Sequence, residues 1–379
     1  KSDNPYQAQL DRHLQAFGIT VLPGNCGTVF LHTALTVWKP DVLHLHWLHF
    51  FLIKSNRWLS LLSGLLFVGQ LAVLRLLGVK LVWTVHNLKN HANQHLTIDR
   101  FFTALVARLA HRIIAHGEIA KQEIVSTFHL RDPQKVAVIP HGNYKPCYEN
   151  RVSRETARQR LGLAEDKLVF LFLGLIRPYK GVLELIDAFI QLNNPKTQLV
   201  IAGKVWDDGT DQTAQLQQQV ATHSNILFHP GFVPNDQIQV YMNACDVAVF
   251  PYRDSLTSGA VLLALSFGRA CLAPRIGCIA EVLDDMGSFL YNPGDVTALS
   301  QTLHRVIEQQ PQITAMGHHN LSLADRYDWH TIAEKTADVY RTSLQLNYID
   351  SSQRQSNLPQ QLSEKQVSHI EFPKPSHFS

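Results

Sequence analysis

Residues 169–189 read VFLFLGLIRPYKGVLELIDAF. The first five are an apolar run of strand length, with β-formers at most positions. Gly174 ends the run, and Pro178 and Gly181 punctuate the loop after it. Leu183, Leu185, Ile186 and Phe189 then recur at helical spacing. A helix that starts directly after a buried strand turns free N–H groups and the positive end of its dipole toward any anion there. Arg177 and Lys180 lie in the turn itself, where two cations either clamp a diphosphate or stay as solvated loop residues.

Working outward, the same strand–loop–helix unit repeats. Downstream come TQLVIA (197–202) with Gly203, a polar helix over 211–222, a strand over 226–228 and Pro230-Gly231-Phe232. A helix over 237–244, a strand over 247–251, a loop and helix over 252–267, a strand over 270–273 and helices over 279–284 and 296–309 come next. Upstream, VLHLHW (42–47) alternates His44 and His46 with leucines, which puts both histidines on one face. VKLVWTV (79–85) ends at His86-Asn87, with Asn90, His91 and His95 in the loop beyond. A helix over 100–111, RIIA (112–115), a helix over 118–128 and a strand over 136–140 closed by His141-Gly142-Asn143 complete the series. Such alternation predicts parallel sheets, whose ligand crevices lie at the carboxyl ends of the strands. His86 is placed there. The first predicted element, a helix over 9–17, has no strand before it, so the opening strand is expected to be missing or to end at Lys1.

At 379 residues the chain exceeds one ordinary core, and two domains are expected. Residues 1–150 form the first and 151–325 the second, with a polar linker in 145–164. Residues 326–346 hold a helix (YDWHTIAEKTADVY, 327–340), and 347–379 read as a mobile tail because they are polar and proline-bearing. A net charge of +3 is too small to argue for nucleic acid, while 20 histidines add positive charge below neutrality. Scattered cysteines without metal spacing read as core residues of a reducing compartment, which points to the cytoplasm. No signal peptide is read at the start. Asp207-Asp208 and Asp284-Asp285 are paired acids, neither clearly at a strand end, and no metal site is expected.

The segment 58–78 (WLSLLSGLLFVGQLAVLRLLG) is the most apolar in the chain. At roughly 1.5 Å per residue it reaches across a bilayer, yet Gln70, Arg75 and two glycines count against a span, and a strand comes at once after it. A crossover helix of an α/β domain is the first reading. The second adds a peripheral contact with the inner face of a membrane, since Lys54, Arg57, Arg75 and Lys80 flank or punctuate the segment and Trp58 opens it.

Five stretches in order resemble the GT-B glycosyltransferases, and glycosyltransferase family 4 in particular. They are VWTVHN (82–87), VAVIPHGN (136–143), FLGLIRPYKGVLELIDAF (172–189), ILFHPGFVPNDQIQVYMNACDVAVFPY (226–252) and FGRACLAPRIGCIAEVL (267–283). The resemblance covers roughly residues 40–345. It implies two Rossmann-like domains facing each other across a cleft, with a C-terminal helix crossing back to the first. It also implies metal-independent transfer of a sugar from a UDP- or GDP-linked donor to a glycan or lipid-linked glycan, as in polysaccharide or glycolipid synthesis. The nucleotide-sugar is then a co-substrate and no cofactor is needed. Carried over by position, Lys180 binds the donor diphosphate, and Arg177 does likewise, although the family's arginine stands where this chain has Leu175. His86 reaches the donor sugar or reacting phosphate. Gly174 and the Gly231-Phe232-Val233 stretch flank the nucleotide, while His46, Asn87, His91 and His141 are acceptor-side candidates.

The family's E-x7-E pair falls on Ser255 and Leu263, so both carboxylates are absent. Ser255 and the turn Thr257-Ser258-Gly259-Ala260 remain as donor contacts, with side-chain oxygens and free N–H groups suited to a phosphate or sugar. Catalysis then rests on cations and N–H groups that stabilise the leaving diphosphate. Retention is expected from the family. Inversion would need a base such as His86, His91 or His46. Two alternatives accompany the transferase: a nucleotide-sugar-binding protein without transfer, and a nucleotide-sugar epimerase on the same fold.

Overall fold

Two parallel six-stranded sheets organise the chain in the computed structural model, which describes residues 5–25, 27–90, 94–206, 212–295, 297–352 and 365–371. The chain divides into one unit of Lys1–His141 with Trp329–Ser379 and a second of Gly142–Asp328. The first contributes β1 (Ile19–Asn25), β2 (Val42–Leu45), β3 (Lys80–Thr84), β4 (Arg112–Ala115) and β5 (Val136–Val138). Strands β2 and β3 are buried at every position, His44, Lys80 and Thr84 included. The helix Arg57–Leu76 makes the crossover between them and packs against the helix Leu96–Leu109.

The second unit holds β6 (Leu168–Leu173), β7 (Thr197–Gly203), β8 (Ile226–Pro230), β9 (Val247–Val249), β10 (Ala270–Pro274) and β11 (Ser288–Tyr291), ordered β11-β10-β9-β6-β7-β8. From β6 the chain builds outward to β8, then returns to lay β9 on the other side of β6, which makes the β6/β9 boundary the topological switch point. Phe170 and Phe172 of β6 are fully buried beneath Leu185, Ile186 and Phe189 of the helix Val182–Leu192. Each such side chain contributes about 2 kcal/mol of burial free energy. The opening stretch thus folds as the strand, turn and helix its pattern predicts. The strand β11 and the helix Ile313–Leu323 were not anticipated.

At Trp329 the chain re-enters the first unit. The helix Trp329–Ser352 buries Trp329, Ile332, Ala333, Ala337 and Tyr340 against the helix Pro5–Leu14 and the sheet. It runs past the expected end at 346. Within the expected tail, β12 (Lys365–Glu371) lies parallel between β1 and β2, giving the order β1-β12-β2-β3-β4-β5. Its sequence, KQVSHIE, lacks the apolar run of a doubly covered strand, which is why it read as tail; Val367 and Ser368 are nonetheless buried. The rest of the expected tail, 353–364 and 372–379, lies outside the described residues. The unit boundary falls at His141 and not at 150, because Asn143 and Tyr144 are already tied into the second unit. Asn143 N donates to Tyr327 O (2.8 Å), its amide to Ala324 O (3.0 Å), and Tyr144 N to Ser266 Oγ (2.9 Å).

Candidate active site

In the second unit the switch point gathers two loops. The loop after β6 leaves at Gly174, whose φ of +140° suits glycine, and whose N–H donates to Ala202 O (3.0 Å). Ile176 then pairs with Val205, so Arg177 stands beside the end of β7. Its guanidinium lies over the Trp206 ring, 4.0 Å from the centroid. Among the described residues Arg177 Nε is buried without a hydrogen-bond partner, and burial lowers the group from its usual pKa. Lys180 closes the short turn Pro178–Lys180 with its ammonium 5.2 Å from the Tyr252 ring centroid. Burial, with Arg177 adding to it, pulls the Lys180 pKa down to about 8. Two desolvated cations side by side are costly, and an anion between them would relieve both.

The loop after β9 reaches the same place. Arg253 N donates to Tyr179 O (2.8 Å), and the Arg253 side chain pairs with Glu184. Gly181, at φ +66°, starts the helix Val182–Leu192 so close to Pro251 that a Cβ there would collide with the Pro251 carbonyl. Further along, Ser255 Oγ donates to Thr257 O (3.1 Å). Ser258 caps the helix Gly259–Ser266, accepting from Val261 N (3.4 Å). Gly259 packs against Tyr144, whose hydroxyl would lie 2.6 Å from a Cβ at that position. Thr257, Ser258, Gly259 and Ala260 are all half-buried, so the turn remains reachable. Leu263, the other position on which the expected glutamate pair falls, is buried inside that helix. Beyond β8, Gly231 N donates to Gly203 O (3.1 Å), and Phe232 is exposed with Val233 beside it.

The first unit builds a different edge. His46 follows β2, His86 follows β3, His116 follows β4 and His141 follows β5. Tyr6, from the helix Pro5–Leu14, packs edgewise or tilted against all four, with centroids 4.7–5.9 Å away. Trp47 stacks on His86 at 4.1 Å. His116 Nδ1 donates to Ile139 O (3.0 Å), since a carbonyl only accepts. Its Nε2 therefore accepts from His86 Nδ1 (3.3 Å), and His86 Nε2 accepts from His46 Nδ1 (3.1 Å). One hydrogen bond to a carbonyl thus sets the tautomer of three imidazoles. Burial, reinforced by His116, His46, His141 and His49, holds His86 well below the usual imidazole range. Burial takes His116 to about 4, opposed by its bond to Ile139. His86 and His116 are neutral at pH 7. Asn87 meets His49 Nε2 through its amide nitrogen (3.0 Å) and joins His86 in lining a small open crevice. His44, on the same face as His46, bonds Thr84 Oγ1 (2.8 Å) and Tyr340 Oη (2.6 Å).

A family profile described as "Glycosyl transferases group 1" matches residues 153–321. The chain is also 30% identical over 271 residues to the GDP-mannose:glycolipid 4-beta-D-mannosyltransferase of Xanthomonas campestris pv. campestris, covering 70% of this chain and 71% of that protein. It belongs to the group 1 glycosyltransferases. Another relative is the D-inositol 3-phosphate glycosyltransferase of Streptomyces scabiei, 28% identical over 314 residues, covering 78% of this chain and 69% of that one. Among solved structures, sucrose-phosphate synthase from Thermosynechococcus elongatus superposes with a TM-score of 0.71 at 17% identity, covering 92% of this chain and 94% of the other. Anabaena Alr3699/HepE, crystallised with UDP and glucose, gives 0.66 at 21% identity over 81% and 79%. Both share the GT-B fold, two Rossmann-like domains.

As a glycosyltransferase, the chain transfers sugar. The structure brings Gly174, Arg177 and Lys180 together with the loop that carries Ser255 and residues 257–260, and it gathers His46, His86 and His141 in the first unit. His91 lies outside the described residues. Trp206, Tyr252, Tyr6 and His116 were not singled out from the sequence. His116 had a usable signal: it follows RIIA directly, as His86 follows a strand and His141 closes one. Among the described residues no group of three or more His, Cys, Asp or Glu is arranged to hold a metal ion.

Proposed function

We propose that this glycosyltransferase moves a hexosyl group from a nucleotide-diphosphate sugar to a lipid-linked glycan, without a metal. The observation that carries it is the pair of desolvated cations, Arg177 and Lys180, at the switch point of the second sheet. As the glycosidic bond breaks, negative charge builds on the diphosphate. Lys180, Arg177 and the N–H groups at the start of the helix Gly259–Ser266 are positioned to stabilise it. Gly231, Phe232 and Val233 contact the nucleotide base, largely through backbone, and Gly174 lets the chain approach the phosphates. Ser255, Thr257 and Ser258 supply hydroxyls to the donor in place of the absent carboxylates. In the first unit, neutral His86 anchors the imidazole chain through both ring nitrogens, and His46, Asn87 and His141 near it are the groups offered to sugar hydroxyls. The Xanthomonas relative, named for GDP-mannose and a glycolipid, supports this class of donor and acceptor.

Retention remains the family expectation. Inversion is the second reading, favoured by Ser255 and Leu263 in the glutamate positions and by the β-linkage in that relative's name. A donor with an α-linked sugar gives a β-linked product only by inversion. Incubation with UDP- and GDP-sugars and a polyprenyl-diphosphate glycan, with the product anomer read by NMR, tests the whole proposal. Nucleoside diphosphate release with a new glycosidic bond, undiminished by a chelator, is expected. Donor binding without turnover, or epimerised donor without transfer, would overturn it.

A further inference from the structure

The helix Arg57–Leu76 is inside out. Its inward face carries Ser60, Ser63, Gly64 and Gln70 alongside Phe67, Leu71 and Leu74. The polar members are committed to the fold. Ser63 Oγ donates to Phe51 O (2.6 Å), and Ser60 Oγ to Asn56 O (3.0 Å) and Lys54 O (3.2 Å). The Gln70 amide accepts from Phe30 N (2.8 Å) and Leu31 N (2.9 Å) and donates to Thr28 O (2.7 Å). Gly64 leaves room for the Phe102 ring, which a Cβ would strike. With those positions filled, the large apolar side chains face outward: Trp58 is 75% exposed, Leu62 64%, Leu65 62% and Leu76 86%, with Leu59, Leu66 and Val73 among them. Trp58, Leu59, Leu62, Leu65 and Leu66 form a stripe at three- and four-residue spacing, and Val73 and Leu76 resume that face two turns on. The neighbouring helices His49–Leu52 and Leu96–Leu109 add exposed Phe50 and Phe101.

Water is a poor solvent for such a face, and its surroundings say what covers it. No carboxylate occurs between Asp41 and Asp99, while Lys54 and Arg57 stand at one end of the helix and Arg75 near the other. A second copy docked on the same stripe would bring these cations toward their own equivalents, which disfavours self-association. An anionic bilayer instead matches both features, taking up leucines below and pairing cations with phosphates at the interface. Trp58 at the helix start suits the headgroup level. The strands β2 and β3 on either side of the helix hold it in the soluble fold, so it lies on a membrane and does not cross it.

We infer that the first unit docks on anionic membrane through the outward face of Arg57–Leu76, with Leu62, Leu65, Leu66 and Trp58 inserted and Lys54, Arg57 and Arg75 facing lipid phosphates. The docking is independent of donor and acceptor.

Sedimentation of the full chain with sucrose-loaded vesicles, without nucleotide, tests it. Phosphatidylglycerol-containing vesicles should carry the protein down, pure phosphatidylcholine vesicles much less, and added salt should weaken the effect. Leu62→Glu with Leu65→Glu should cut the partition about tenfold or more, and Lys54→Glu with Arg57→Glu should abolish the preference for anionic lipid. Unchanged circular dichroism shows that each variant is folded; should the leucine variant unfold, Leu62→Ser with Leu65→Ser replaces it. Wild-type protein left in the supernatant with phosphatidylglycerol vesicles at low salt would overturn the inference. So would vesicle binding unaffected by these substitutions, or a dimer that the leucine variant splits while lipid is ignored.

Discussion

Both units carry their chemistry at the carboxyl ends of parallel strands, but they do so with opposite materials. The second unit uses backbone and charge: Gly181 and Gly259 allow close approach, Gly174 and Gly231 take positive φ, and Lys180 and Arg177 stay charged although desolvation opposes it. The first unit uses imidazoles: four histidines pack around Tyr6, of which His86 and His116 are pushed down by burial and locked into one tautomeric order. The same topology thus yields one edge of desolvated cations and another of hydrogen-bonded imidazoles. The contrast predicts that backbone changes damage the second edge and protonation damages the first.

The largest effect is expected from Gly181→Ala. The new Cβ meets the Pro251 carbonyl at a left-handed φ, for a loss of about 3 kcal/mol of stability. Calorimetric unfolding measures it, and an unchanged melting temperature would dismiss the close approach of the β6 and β9 loops. The next effect concerns pH. His116 titrates at about 4 in the fold and near its ordinary 6.5 when unfolded, so between those values the unfolded chain binds more protons. Stability therefore falls as pH drops from 7 toward 4, by on the order of 2 kcal/mol at pH 5 from this residue alone. His116→Asn keeps a donor for Ile139 and removes the titration, so it should flatten the acid limb of the melting curve; an equally steep limb in the variant would place the effect elsewhere. A smaller effect is expected from Trp206→Ala, which removes the ring beneath Arg177. Nucleoside diphosphate affinity should fall about fivefold, the equivalent of roughly 1 kcal/mol. No change would leave Arg177 outside the clamp.

These residues differ in how well the sequence reveals them. The β6 turn was legible because an apolar run, a glycine and a helical repeat are all local. Trp206 and Tyr252 were not, because they come from loops 20 or more residues away, and only the strand order sets them beside Arg177 and Lys180. His116 stayed hidden in a polar loop until four strand ends were seen side by side. The strand β12 defeated pattern reading since its neighbours, not its own residues, supply the burial. The helix Arg57–Leu76 is subtler. Its two faces can be read from spacing, but the rule that the apolar face turns inward assumes water outside, and here Ser60, Ser63 and Gln70 take the interior.

The most direct test of the diphosphate clamp is a calorimetric titration of GDP and UDP into the wild-type chain and into Lys180→Ala. At least one nucleotide should bind, and its affinity should weaken as pH rises past about 8, where Lys180 loses its proton. In the variant the affinity should drop roughly 30-fold or more, as befits a lost charge-assisted contact. Equal affinity in the two proteins, with no dependence on pH between about 7 and 9, would contradict the clamp.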